Sequence, residues 1–190
     1  MKVSNKRLFA QNEVFDFFFC AVDDLQGSVV PDYLVVQPRN IKEDLVSGVG
    51  ILPVVDGRLG LVKIFRPALQ GSFWEIPHGF LDENENEIDA CVRELHEETG
   101  IETTSGDIEF LATVAPDSGV LGGLVKLYLA RGSLPSSKVQ HEIGLEDFSF
   151  FTKKETVELI NSGKVIYEYQ DILEQVAGKT LTASIDPEKY

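Results

Sequence analysis

The sequence predicts an α+β protein, an α/β/α sandwich on a mixed sheet preceded by a small antiparallel β appendage. Three observations carry this expectation. Two β-rich runs stand ahead of Pro38, a hairpin signal is centred on Asp56-Gly57, and one amphipathic helical stretch has strand patterns on both sides. The two β-rich runs look like an N-terminal β subdomain, taken as 1–45, ahead of a main domain over 46–190.

Residues 13–22 and 33–37 are rich in β-branched and aromatic residues. Gly27, Pro31 and Asp32 lie between them, so they read as two antiparallel strands. A two-stranded hairpin is marginal alone, so these strands need a partner to cover them. Beyond a polar stretch from Pro38 to Asp44, Val49–Val55 and Leu59–Phe65 flank Asp56-Gly57, residues that tolerate the positive φ of a tight turn. From Glu87 to Thr99 the period changes to about 3.6, and Ile88, Cys91, Val92 and Leu95 form a stripe. Asn86 caps this helix and Gly100 stops it. Strands are expected at 108–115, 124–130 and 146–151. The capping-box spacing of Thr152 and Glu155 opens a helix ending near Gly163, a last helix is expected over Tyr169–Ala177, and the tail beyond Gly178 reads as weakly ordered.

The 190-residue chain carries a formal charge of −14 and offers no basic patch, which argues against nucleic acid as a partner. The apolar run from Val14 to Val22 contains Asp16 and falls short of the roughly 20 residues that span a bilayer. With no signal-peptide pattern at the start, the expected compartment is the cytoplasm and no membrane contact is expected. Cys20 and Cys91 read as buried structural thiols.

The chemistry concentrates in residues 79–101, GFLDENENEIDACVRELHEETGI. On a helix Glu94, Glu97 and Glu98 share one face, where like charges repel unless something compensates them. A hard divalent cation such as Mg²⁺ does so, held by a few carboxylates together with substrate phosphate oxygens. Arg93 can pair with Glu97 or Glu85 and hold the carboxylates in place, while Gly79 lets the backbone turn sharply after Pro77-His78. A solvated acidic helix face would explain the charges but not the spacing.

Gly79, Glu85, Arg93, Glu94, Leu95, Glu97, Glu98, Gly100 and Ile101 match in full the Nudix box, G-x5-E-x7-R-E-U-x-E-E-x-G-U with U a bulky aliphatic. The chain thus resembles the Nudix hydrolases, which cleave a nucleoside diphosphate linked to another moiety. The resemblance implies the family's α/β/α sandwich and a Mg²⁺ cofactor, with Mn²⁺ as a substitute. It implies Glu94 and Glu98 as metal ligands, Glu97 as a direct or water-mediated ligand with a part in catalysis, and the His78 carbonyl as a further ligand. Gly79, Glu85 and Arg93 become supports of the site.

Flanking segments are similar to the ADP-ribose pyrophosphatase branch: Phe65-Arg66-Pro67, Trp74-Glu75-Ile76-Pro77, and Pro116, 16 residues after Gly100. They imply Arg66, Glu75 and Pro116 as substrate-binding residues. In that branch a glutamate beyond the box serves as base, and the matching stretch 140–146 offers Glu142 first and Glu146 second. His78 stands where the branch has Ala and Phe65 where it has Tyr. The branch also implies a homodimer that exchanges the N-terminal β subdomain. The small-molecule substrate expected is ADP-ribose, the alternatives being a GDP- or UDP-sugar, a nucleoside triphosphate, or a catalytically silent nucleotide-binding module.

Overall fold

The computed structural model describes residues 1–27, 29–133 and 143–165. The helix expected over 169–177, the tail beyond Gly178 and Glu142 lie outside them.

Three strands, β1 (Lys2–Gln11), β2 (Phe15–Asp23) and β3 (Val29–Pro38), form an antiparallel meander in that order. The sequence reading gave β2 and part of β3 and missed β1, whose polar run Ser4-Asn5-Lys6-Arg7 followed by Leu8-Phe9-Ala10 shows no period-two apolar face. β1 is exposed along nearly its whole length, and Phe9 stacks on Phe19 at 4.3 Å between centroids.

The main sheet is mixed. It contains β4 (Val46–Val55), β5 (Arg58–Arg66), β6 (Gly71–Glu75), β7 (His78–Phe80), β8 (Ile108–Val114), β9 (Leu124–Arg131) and β10 (Leu145–Phe151). Its path runs β10-β5-β4-β9-β8, with β6 beside β5 and β7 beside β4. β4 and β9 are parallel and the other pairs antiparallel. The β4–β5 turn is the one expected, with φ of 49° at Asp56 and 71° at Gly57.

β4 is buried at every position, so alternate residues face opposite sides of the sheet into separate cores. Val49 and Ile51 join Tyr128 and Ala130 under α1 (Glu87–Thr99), meeting its Ala90, Cys91 and Leu95. Leu52 and Val54 join Leu127 and Leu129 on the other side, against Ile160 of α2 (Lys153–Asn161). A helix on each face gives the three layers that the sequence predicts. The caps also stand as expected: Asn86 accepts from the Ile88 and Asp89 amides, Gly100 has φ 70°, and Thr152 with Glu155 closes a capping box. Both cysteines are buried and free. Among the described residues, no helix is long and apolar enough to cross a membrane.

The sheet splits where the site lies. β5 pairs with β4 only through Val54–Leu59 and Val55–Arg58, after which β4 pairs with β7 and β5 with β6. The N-terminal half of β4 and the C-terminal half of β5 therefore diverge, leaving a cleft between them.

Candidate active site

The cleft holds a cavity of about 600 Å³. One part is polar, lined by Arg66 from β5, Glu75 from β6, His78 from β7, and Glu94 and Glu98 from α1. The other part is largely apolar and includes Phe15, Ile64, Phe80, Pro116, Val125 and Leu145.

Glu94 and Glu98 are one helical turn apart and both buried, at 8% and 3% exposure. Each is anchored within the protein. Arg93 Nη1 donates to Glu94 Oε1 at 2.7 Å, and the His78 amide donates to Glu98 Oε2 at 3.1 Å. The close approach of β7 to α1 requires glycine at 79, because a Cβ there would overlap the Glu94 carboxylate. On the opposite side, a Cβ at Gly48 would lie 2.6 Å from the Gly79 carbonyl oxygen. Two glycines thus let β4, β7 and the Glu94 carboxylate stack at backbone distance.

Arg93 links the loop before α1 to the helix. Nε and Nη2 donate to the two oxygens of Glu85 at 2.9 and 2.7 Å, Nη1 also reaches Glu97 at 3.2 Å, and Nη2 also reaches the Phe80 carbonyl at 3.1 Å. The sequence left Glu85 and Glu97 as alternative partners, and Arg93 holds both. Its guanidinium keeps the Glu85 carboxyl below the usual carboxylate range, and the carboxylates in turn raise the arginine above its own ordinary value.

Arg66 is neither isolated nor on an outer surface. Nε and Nη2 donate to Glu75 Oε1 and Oε2 at 2.8 and 2.5 Å, and Nη2 lies 2.7 Å from His78 Nε2. Glu75 is 1% exposed, so the pair has little competition from water. On the other side of the ring, His78 Nδ1 lies 3.0 Å from the Ile76 carbonyl. Burial pushes the imidazole below its ordinary pKa, opposed by Glu75 and reinforced by Arg66.

Two of the residues expected at the site stand outside the cavity lining. Glu97 does not join Glu94 and Glu98 in the cavity. Its side chain is 54% exposed and rests on Arg93, because position 97 turns away from the cleft toward solvent. Glu146, the second candidate base, is also outside the cavity lining. It pairs with Lys63 at 3.0 Å and accepts from Ser72 at 2.7 Å, at a register shift of β10 against β5, while its neighbour Leu145 lines the cavity. Glu142 lies outside the described residues. Pro116 lines the cavity.

The sequence reading missed the apolar wall, Phe15 above all. Phe15 belongs to the N-terminal sheet and meets Phe80 edge-on at 5.6 Å. That sheet also docks beside Pro116, through the Val36 amide to the Val120 carbonyl and the Gly122 amide to the Val36 carbonyl, at 2.9 and 2.8 Å, and through the Tyr33 hydroxyl to the Gly119 carbonyl. An aromatic run marks a strand in sequence but does not say which ring reaches a distant cleft.

Among the described residues, no group of three or more His, Cys, Asp or Glu side chains is gathered to hold a metal ion. The donor set nonetheless fits a hard divalent cation. Two buried carboxylates face one cavity, and cations of this type commonly take one or two protein carboxylates with the remaining ligands from water and substrate phosphates.

A three-layer fold with a split mixed sheet, and a box whose Glu94 and Glu98 line the cleft, resemble the Nudix pyrophosphohydrolases. Residues 44–122 match the family described as NUDIX domain. A methanol dehydrogenase activator of Bacillus methanolicus is 28% identical over 153 residues, covering 76% of this chain and 80% of that protein. A CMP-5'-(N-acetyl-N-hydroxy-3-aminopropyl)phosphonate hydrolase of Streptomyces rubellomurinus is 26% identical over 121 residues, 63% of this chain and 58% of that one. An 8-oxo-dGTP diphosphatase of Proteus vulgaris is 49% identical over 47 residues, 25% of this chain and 40% of that protein. The crystal structure of an ADP compounds hydrolase superposes with a TM-score of 0.72 at 18% identity, covering 93% of this chain and 91% of that one, a likeness of fold.

Proposed function

We propose that the protein hydrolyses ADP-ribose to AMP and ribose 5-phosphate with Mg²⁺. The observation that carries this reading is the convergence of buried Glu94 and Glu98 with Arg66 on one cavity that also has an apolar wall. A diphosphate flanked by a base and a sugar needs that combination of charge, cation and apolar surface. The ADP compounds hydrolase, alike in fold, supports the choice of an ADP-linked substrate.

Glu94, Glu98 and the His78 carbonyl are the groups that would hold the cation. When bound, Mg²⁺ offsets the charge of the pyrophosphate and makes a water more acidic. The chain's own residues do the rest. Arg93 fixes Glu94 and ties it to the loop carrying Phe80 and Glu85. Arg66 binds a phosphate or ribose oxygen, and Phe15 and Phe80 shield the cleft from bulk solvent. Water adds to phosphorus, the phosphoanhydride P–O bond breaks, and the base accepts the proton. We assign that base to Glu142.

We further propose that the protein is a homodimer. The N-terminal sheet exposes Val3, Leu8, Phe9, Val29, Val30 and Leu34, a surface that a second copy would cover.

The test is a panel of ADP-ribose, GDP- and UDP-sugars and nucleoside triphosphates incubated with Mg²⁺, with products identified by chromatography. AMP and ribose 5-phosphate are expected. Release of inorganic pyrophosphate would instead identify a triphosphate substrate. A folded protein that cleaves none of them would be a binding module, a role that the relative described as an activator keeps in view.

A further inference from the structure

We propose that the His78 side chain is a positioning residue: through Nε2 it holds Arg66, together with Glu75, in one orientation toward an anionic oxygen of the substrate. The argument begins with donors and acceptors. Arginine can only donate, so the 2.7 Å contact from Arg66 Nη2 requires an unprotonated His78 Nε2. The ring proton then resides on Nδ1, which donates to the Ile76 carbonyl at 3.0 Å. Only the neutral Nδ1–H tautomer satisfies both contacts.

The backbone beneath the ring is also fixed. His78 pairs with Gly50 of β4, the Pro77 carbonyl accepts from the Ile51 amide at 2.7 Å, and the His78 amide donates to Glu98. With the main chain and Nδ1 both held, Nε2 is an acceptor in a set place. Arg66 meets it through Nη2, while Nε and Nη2 also hold the two oxygens of Glu75. Arg66 lines the cavity, so the guanidinium held in this way is presented to a substrate bound there.

The amide side chains separate this role from a structural one. A Gln oxygen reaches about as far as imidazole Nε2, whereas an Asn side chain reaches only the Nδ1 position. His78→Ala, His78→Asn and His78→Gln all leave the His78 carbonyl in place. In steady-state hydrolysis of ADP-ribose, His78→Ala and His78→Asn should raise KM about 10-fold with kcat changed less than about 3-fold, and His78→Gln should restore KM to within about 3-fold. Rescue by Asn as well as Gln, or by neither, would overturn the proposal.

The kinetic arm rests on the hydrolase reading above, but a second arm needs no substrate. Nitrogen-15 NMR of the imidazole in the unaltered protein at neutral pH should show His78 as the neutral Nδ1–H tautomer. An Nε2–H tautomer, or a protonated ring, overturns the proposal whatever the protein cleaves. If no compound in the panel turns over, the substrate reading fails while the NMR result still decides the role of His78.

Discussion

Gly48→Ala tests whether the backbone stack behind Glu94 positions the site. The added Cβ would lie 2.6 Å from the Gly79 carbonyl oxygen and 3.5 Å from its carbon. Relief requires β4 and β7 to separate by roughly half an ångström, a form of overpacking that costs about 1–3 kcal/mol. The displaced residue, Gly79, is the one whose backbone packs on the Glu94 carboxylate, so the separation reaches the site. A misplacement of about 1 Å can cost on the order of 100-fold in rate, and half of that about 10-fold. Thermal unfolding followed by circular dichroism should show a midpoint lower by about 2–10 °C. Steady-state kinetics under native conditions should show kcat/KM reduced about 10-fold. A Gly48→Ala variant that keeps both values would refute the claim that glycine at 48 is required for the stack.

Arg93→Lys removes the fork that reaches Glu85, Glu94, Glu97 and the Phe80 carbonyl together. It should cost about 2–3 kcal/mol of stability in denaturant titration and lower kcat by about 10–100-fold, and a silent substitution would contradict the bridging role. The pair of Lys126 and Glu87, 2.9 Å apart, makes stability acid-sensitive. Its bond from Lys126 holds Glu87 down to about 2, from an ordinary value of 4.5. Because the folded pKa is the lower one, this contribution is complete above pH 4.5 and disappears as pH falls toward 2. Lys126→Met should therefore be less stable than the parent by on the order of 1 kcal/mol at pH 7, with the gap closing between pH 4.5 and pH 2 in urea unfolding curves. A gap that widens on acidification would invert the sign and reject the argument.

What was legible in the sequence and what was not follow from the range of the interactions involved. The β4–β5 hairpin, α1 with its Asn86 and Gly100 ends, and the capping box of α2 are encoded by neighbours a few residues apart. β6 and β7 were missed because they are short, and because Gly71, Pro77 and Gly79 weaken any strand pattern. β1 was missed because it buries almost nothing. Among the box residues, helical spacing brings Arg93 to Glu94 and Glu97 and sets Glu98 one turn from Glu94 in the cavity, while Glu97, although only three residues from Glu94, faces solvent. The Arg66–Glu75–His78 unit was invisible as a unit, since three strand ends bring it together and local spacing does not. Phe15 reaches the cavity only because the N-terminal sheet docks beside Pro116.

The central claim is that buried Glu94 and Glu98 make this cleft a hydrolytic site. Glu98→Gln tests it most directly, because the amide oxygen can still accept from the His78 amide while the negative charge is lost. ADP-ribose turnover with Mg²⁺ should fall by about 100-fold or more, with the unfolding midpoint unchanged within about 3 °C. A folded Glu98→Gln protein that turns over ADP-ribose at the parent rate would contradict the account.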